Sequence, residues 1–377
     1  MIKDSPILIA GISGLVGSAL ARTLQAKGYS NIIGTYQSRK PGLPITLYQT
    51  DLRDQQTVSR LFQKVKPEYV FLAAAKVGGI LANNTYRAEF IHDNLMITSN
   101  VINQSYLSGV KKLLNLGSTC IYPRECPQPM QEEHLLTAPL EYTNEPYAIA
   151  KIAGLKMCES YNLQYGTNFI SVMPTNLYGP GDNFDLEKAH VLPALMRRMH
   201  LAKCLEQGAW DDMRADLNKR PVDVINGNAS NVTILDVLQK HGVTSSLPSE
   251  HRPLTTVQIW GTGKPLREFL YSEDMAEACV FIMENIDFPA LTQGKQEVRN
   301  THINIGTGEE ISVKDLAFKI KQLVGFQGEL TFDTSKPDGT PRKLTDVSKL
   351  HGLGWKHSTS LDQGIEKLYN CYYSQYQ

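Results

Sequence analysis

The sequence carries no net charge, no long apolar run and no pair of cysteines at metal-ligand spacing, and each absence removes a class of function. Its 38 basic and 38 acidic residues cancel. No global field therefore draws the chain to a nucleic-acid backbone or an anionic membrane, and any phosphate binding must be local. No apolar stretch approaches the length of a bilayer span, and Met1–Pro6 runs towards a strand with no signal pattern, so the expectation is a cytoplasmic protein with no nucleic-acid and no membrane partner. The six cysteines, at 120, 126, 158, 204, 279 and 371, read mainly as small buried hydrophobes, and no metal is expected.

The chain does contain an alternation of short apolar runs with helix-period segments, the pattern of a parallel sheet covered on both faces. Strands are expected at Ile7–Ala10, Asn31–Tyr36, Ile45–Gln49, Tyr69–Ala74, Lys112–Leu116 and Asn168–Met173. Gly28 and Gly109 mark helix ends. After Pro174 the rhythm breaks, with Leu177–Gly181 reading as a turn and a helix from about Val191 to Ala202. Residues 201–256 read as an insertion with one helix at Thr233–Lys240, and strand–helix alternation then resumes. The fold class is therefore α/β, a Rossmann-type doubly wound parallel sheet with a smaller α/β C-terminal substrate domain. The nucleotide-binding domain covers 1–176, with 268–306 returning to it. The substrate-binding part covers most of 177–377.

Ile7–Ala10 leads into Gly11-Ile12-Ser13-Gly14-Leu15-Val16-Gly17 and then a helix-compatible run. Strand, glycine turn and helix N-terminus in that order form a pyrophosphate site, because backbone must approach closely and the helix offers unpaired N–H groups. At the end of the second strand, Gly34–Lys40 holds no acid to meet ribose hydroxyls, which favours NADP(H). Arg39 or Lys40 is the candidate for the 2′-phosphate, against the reading that both are solvated loop cations.

Glu145-Pro146-Tyr147-Ala148-Ile149-Ala150-Lys151 sets a tyrosine and a lysine four apart on one helical face. An ammonium and an oxidised nicotinamide stabilise a phenolate, so Tyr147 can protonate a carbonyl oxygen as hydride reaches carbon, with Lys151 also holding the ribose. Ser118, at the carboxyl end of Lys112–Leu116, is the third member, orienting the carbonyl.

The Gly-x-x-Gly-x-x-Gly spacing resembles the short-chain dehydrogenase/reductase superfamily. Longer strings are similar to the GDP-L-fucose synthase family of its extended branch. They are Ala73–Ile80 with Ala82–Thr85, Ser118–Pro123, Thr143–Lys151, Met173–Pro180 and Lys336–Lys343. The resemblance implies an NADPH-dependent epimerisation at C3 and C5 and reduction at C4 of a GDP-linked 4-keto-6-deoxy-sugar, in a homodimer. It gives Cys120 and His190 the proton transfers at sugar carbons. It sets Asp51 and Leu52 at the adenine, Ala73, Ala74 and Ala75 beneath it, and Leu116, Gly117, Pro174, Thr175, Asn176, Leu177 and His190 along the cofactor. Arg198, Trp260, Arg267 and Asp338 would meet the GDP-sugar. For Lys343 a phosphate contact and a surface ion pair stay equally open. Ser13 stands where some members carry an arginine, which leaves NADPH preference resting on Arg39. The segment between Arg198 and Trp260 is longer than in compact members. Other readings are a reductase for another GDP-keto-sugar, dideoxy or heptose, and a dinucleotide-binding regulatory protein without turnover.

Overall fold

A computed structural model describes residues 1–246 and 254–374. The chain divides into two compact units, Met1–Leu177 with Glu268–Glu309 and Leu344–Ser358, and Tyr178–Arg267 with Glu310–Lys343 and Thr359–Gln377. The return of Leu344–Ser358 to the first unit was not anticipated from the sequence.

The first unit is built on a parallel sheet of seven strands: β1 (Ile7–Ala10), β2 (Ile32–Tyr36), β3 (Thr46–Gln49), β4 (Tyr69–Leu72), β5 (Lys112–Leu116), β6 (Phe169–Pro174) and β7 (Ile303–Ile305). Their spatial order is β7-β6-β5-β4-β1-β2-β3. Ile7 of β1 pairs with both Ile32 and Tyr69, so the order reverses on either side of β1. Ligands of open α/β sheets gather outside the carboxyl ends at such a point.

All four residues of β1 are buried because helices cover both faces. Ile7 and Ile9 face a core shared with α1 (Leu15–Ala26) and the helix Ser272–Asn285. Leu8 and Ala10 face the opposite core, shared with α2 (Gln55–Val65) and α3 (Arg87–Leu107). Strand periodicity alone produces this division. Gly28 and Gly109 follow α1 and α3 at φ +80° and +69°, the left-handed region that ends helices cheaply on glycine. α4 (Glu145–Tyr165) opens with an acid in its first turn and Pro146 near its start, and ends on Gly166.

In the second unit, Leu254–Trp260 lies between Glu329–Asp333, parallel to it, and Val243–Ser246, antiparallel to it. Thr255, Val257 and Ile259 of the central strand are buried, while Trp260 remains 59% exposed. α5 (Val191–Gln207) packs on this strand and on α8 (Val313–Val324). The expected insertion is structured. Residues 201–207 close α5, then come α6 (Trp210–Lys219), α7 (Asn231–Lys240) and the strand Val243–Ser246. Residues 247–253 of that segment lie outside the described residues. α9 (Leu361–Tyr373) completes the unit. Two local expectations need correction. Leu177 and Tyr178 belong to a short strand, Asn176–Tyr178, and α6 went unseen because its apolar content is small, with Met213 and Leu217 as its buried hydrophobes. Among the described residues no helix is long and apolar enough to cross a membrane.

Candidate active site

The three glycines of the β1–α1 turn are required for different reasons. Gly11 has φ +90° and lies against the Ala74 backbone. A Cβ on Gly17 would overlap the Gly11 carbonyl. Gly14 is extended and ordinary, and a Cβ there would meet only the Gly11 oxygen at 3.5 Å. Nothing inside the fold demands glycine at 14, so the demand comes from what lies over the turn. Gly14 is also the N-cap of α1, with no side-chain cap and no acid in the first turn. The first N–H groups and the positive dipole end are left for an anion. This cradle fits a dinucleotide pyrophosphate.

Most of the predicted cofactor residues lie at the carboxyl ends of the strands or just beyond them, while Lys151 is on α4 and His190 belongs to the second unit. The Gly11 N–H donates to Thr35 Oγ1 at 3.1 Å, fixing the turn against the end of β2. Ala73, Ala74 and Ala75 leave β4 partly exposed, and Ser13, Leu15 and Val16 are open or half-open. Arg39 is exposed beyond β2. The Asp51 carboxylate is held by Arg53 at 2.7 Å, which draws its pKa below the ordinary carboxylate value. Arg53 also reaches Asp93 at 3.3 Å. Leu52 is buried.

β5 delivers Gly117, Ser118 and Cys120. The Gly117 N–H donates to the Val172 carbonyl at 2.7 Å. Ser118 caps the turn Thr119–Ile121, its Oγ accepting from the Cys120 N–H at 3.3 Å. Tyr122, just beyond, is buried, with its hydroxyl donating to Asn304 Oδ1 at 2.5 Å and 3.0 Å from His302 Nε2. The segment that carries Ser118 and Cys120 is thereby tied to β7.

α4 presents Tyr147 edge-on to Phe90, with ring centroids 6.4 Å apart, and Lys151 one turn later. The Lys151 ammonium lies 5.6 Å from the centre of the Tyr147 ring and donates to the Leu116 carbonyl at 2.7 Å. Burial lowers its pKa to about 8, a negative Cys120 opposing that shift. Burial raises the Tyr147 pKa far above the ordinary phenol value, and a negative Cys120 adds to it. Desolvation is the larger cause of that rise in the free protein. Tyr147 is held as the neutral acid, and a charge on Cys120 is felt by both partners.

Pro174 ends β6, and Thr175, Asn176 and Leu177 follow it. The Thr175 N–H donates to the Ile305 carbonyl at 3.0 Å, and Asn176 Nδ2 donates to the Glu268 carbonyl at 2.9 Å. The sequence reading missed Glu268 itself. It is fully buried, and its carboxylate accepts the backbone N–H groups of Thr307 at 2.6 Å, Gly308 at 2.8 Å and Thr345 at 2.9 Å. The available signal was an acid set between the apolar Leu266 and Phe269-Leu270-Tyr271, a position that needs several donors to hold a charge.

The second unit carries the residues assigned to the sugar nucleotide. His190 is the N-cap residue of α5, makes no side-chain cap bond and is solvent-exposed. Desolvation by surrounding protein holds its pKa below the ordinary imidazole value. Arg198 lies two turns on, donating Nη2 to the Leu186 carbonyl at 2.8 Å, with Nε buried and lacking a partner among the described residues. The other four lie close together. Arg267 pairs in register with Lys343 and donates to the Leu266 and Thr340 carbonyls at 2.7 and 2.6 Å. Asp338 is occupied within the fold, accepting the Thr262 N–H at 2.9 Å and its hydroxyl at 2.7 Å. Trp260 keeps an open face, with Lys336 Nζ 5.5 Å from its ring centre.

Comparison with known proteins agrees with this geometry. The model of the NAD dependent epimerase/dehydratase family matches residues 7–221 and 243–306, which include α6 and leave the whole of α7 outside. A protein of Arabidopsis thaliana named putative GDP-L-fucose synthase 2 is 46% identical over 370 residues, 98% of this chain and 92% of its own. The GDP-L-fucose synthase of Escherichia coli (strain K12) is 43% identical, with 97% and 96% covered. Among solved structures, a GDP-D-glycero-L-gluco-heptose synthase from Campylobacter jejuni, determined in the presence of NADPH, is 42% identical over 99% of both chains, with a TM-score of 0.87. Likeness at such identities, running almost from end to end, makes this chain a member of the NAD dependent epimerase/dehydratase family and a relative of the GDP-L-fucose synthases.

Proposed function

We propose that the protein converts GDP-4-keto-6-deoxy-D-mannose to GDP-L-fucose, inverting C3 and C5 and reducing C4 with NADPH. The observation that carries this reading is a thiol, Cys120, on the same turn as Ser118 at the end of β5, the strand whose Leu116 carbonyl Lys151 holds at 2.7 Å. A reductase alone needs no thiol there. Proton abstraction beside a ketone needs a base close to the groups that stabilise the enolate oxygen.

Tyr147 and Ser118 hydrogen-bond the C4 carbonyl oxygen and stabilise its negative charge as Cys120 removes the adjacent proton. His190, solvent-exposed and inclined to be neutral near pH 7, exchanges protons with solvent and returns one to the opposite face. Bound NADPH supplies the hydride for the reduction. Tyr147, kept protonated by burial, delivers the proton to the C4 oxygen, and Lys151 holds the ribose edge. The glycine turn grips the pyrophosphate, and Arg39, exposed and carrying its charge, meets the 2′-phosphate. The open face of Trp260 suits a purine base, while Arg198 and Arg267 suit the diphosphate. Asp338 contributes by shaping the Thr262 turn.

The test is turnover in deuterated water with wild type, Cys120→Ser and Tyr147→Phe. Solvent deuterium should enter at C3 and C5 in wild type, exchange should fall by on the order of a hundredfold or more in Cys120→Ser, and Tyr147→Phe should lose NADPH consumption. NADPH consumption by wild type without deuterium at either carbon would refute epimerisation. The heptose synthase likeness favours one second reading, a reductase or epimerase-reductase for a GDP-keto-heptose. A substrate panel of deoxy, dideoxy and heptose GDP-keto-sugars separates the two by kcat/KM.

A further inference from the structure

The segment that brings His190 to the start of α5, residues 179–189, is mostly a run of exposed side-chain turns. Asn183 Oδ1 accepts the Asp185 N–H at 3.0 Å, and Asp185 Oδ1 accepts from Glu187 and Lys188 at 3.0 and 2.8 Å. Such turns fix local shape without tying a loop to anything. Its buried hydrophobic anchors are Phe184 and Leu186, each 3% exposed. Each anchor's carbonyl is held by a guanidinium from α5: Phe184 by Arg197 Nη1 at 3.1 Å and Leu186 by Arg198 Nη2 at 2.8 Å.

Arg197 is in turn held by α6. It is 1% exposed, and Nε and Nη2 donate to Asp216 Oδ2 of α6 at 3.0 and 2.8 Å. Asp216 is fully buried and accepts the Tyr372 hydroxyl of α9 at 2.5 Å. Nη2 also reaches the Arg220 carbonyl at the end of α6. The Phe184 ring lies 4.7 Å from the Tyr372 ring and 5.1 Å from the Arg220 guanidinium. α6 therefore supplies Asp216 to the guanidinium that holds the backbone of the loop's central anchor, and its C-cap Arg220 to that anchor's ring.

We infer that α6 acts as a positioning element for the sugar-nucleotide chemistry: Asp216 aims Arg197, Arg197 fixes the Phe184 carbonyl, and this sets where His190 and the neighbouring Arg198 stand. Asp216, Arg197 and Tyr372 are positioning residues, since they act through the loop and not on substrate. The inference rests on the roles given above to His190 and Arg198. It gives α6 a part in specificity, because a shift of the loop alters sugar-side contacts and leaves the glycine turn untouched.

The test uses the full chain with Asp216→Asn, which keeps size and removes the charge, and Tyr372→Phe, which keeps the ring over Phe184 and removes one bond to Asp216. Measured are KM and kcat for the GDP-keto-sugar, deuterium incorporation at C3 and C5, and inhibition by adenosine 2′,5′-bisphosphate as a report on the glycine turn. Expected for Asp216→Asn is a rise in sugar-nucleotide KM of about tenfold to a hundredfold and reduced exchange, with inhibition unchanged. Tyr372→Phe should move in the same direction by a few-fold. Should both variants keep wild-type sugar KM and exchange, with only lower thermal stability, the segment is structural and the inference is overturned. Soluble Tyr372→Phe alone decides the question if Asp216→Asn does not fold. His190→Asn in parallel separates the failures: if it leaves exchange intact, the role of His190 fails, and if it suppresses exchange while the positioning variants do not, the positioning inference alone fails.

Discussion

Raising the pH should switch off the reductive corner through Lys151. Its ammonium is buried, donates to the Leu116 carbonyl and has a pKa of about 8 in place of 10.5. That difference corresponds to roughly 3 kcal/mol favouring the neutral amine within the fold. Because the folded value lies below the unfolded one, the cost to stability is present in full below about pH 8. It fades as pH rises to 10.5, the window in which the unfolded chain binds more protons. Under the proposed roles activity moves the opposite way, since it is the ammonium that is assigned to the ribose and to Tyr147. The free enzyme's kcat/KM, followed by loss of NADPH absorbance, should fall about tenfold per pH unit above about pH 8. Lys151→Arg keeps its charge throughout this range, so its profile should lose that limb even though the longer guanidinium lowers the rate. A wild-type profile flat to about pH 10, or an identical limb in Lys151→Arg, would refute the assignment of the limb to this ammonium.

The glycine turn gives a paired prediction. Gly14→Ala should weaken NADPH binding by about tenfold or more with Tm unchanged, because its Cβ meets nothing closer than 3.5 Å inside the protein. Gly17→Ala should instead lower Tm, because its Cβ would overlap the Gly11 carbonyl. Isothermal binding and thermal melts distinguish the two. Arg39→Ser should raise KM for NADPH by roughly tenfold or more while leaving NADH nearly unaffected. Equal effects on both cofactors would remove Arg39 from the 2′-phosphate.

Chain order was enough to identify the sheet, because most β-strands of the first unit are local apolar runs and each glycine that ends a helix or opens the turn at Gly11 answers a local dihedral demand. Ser118, Tyr147 and Lys151 were legible for the same reason, each lying at a fixed offset from a strand or a helix start. The energetic state of that corner was not. Desolvation of Tyr147 and the coupling of Cys120 to both partners arise from atoms brought together across β5 and α4. Glu268 shows the limit most clearly, since its three backbone donors come from Thr307, Gly308 and Thr345, remote in sequence and adjacent in space. Residues 201–256 read as polar and without motif along the chain, yet Arg197, Asp216 and Tyr372 meet in the second unit as a buried ionic cluster. Periodicity is a property of neighbouring residues and survives in a linear string. Burial and charge pairing depend on distances that exist only once the chain has folded.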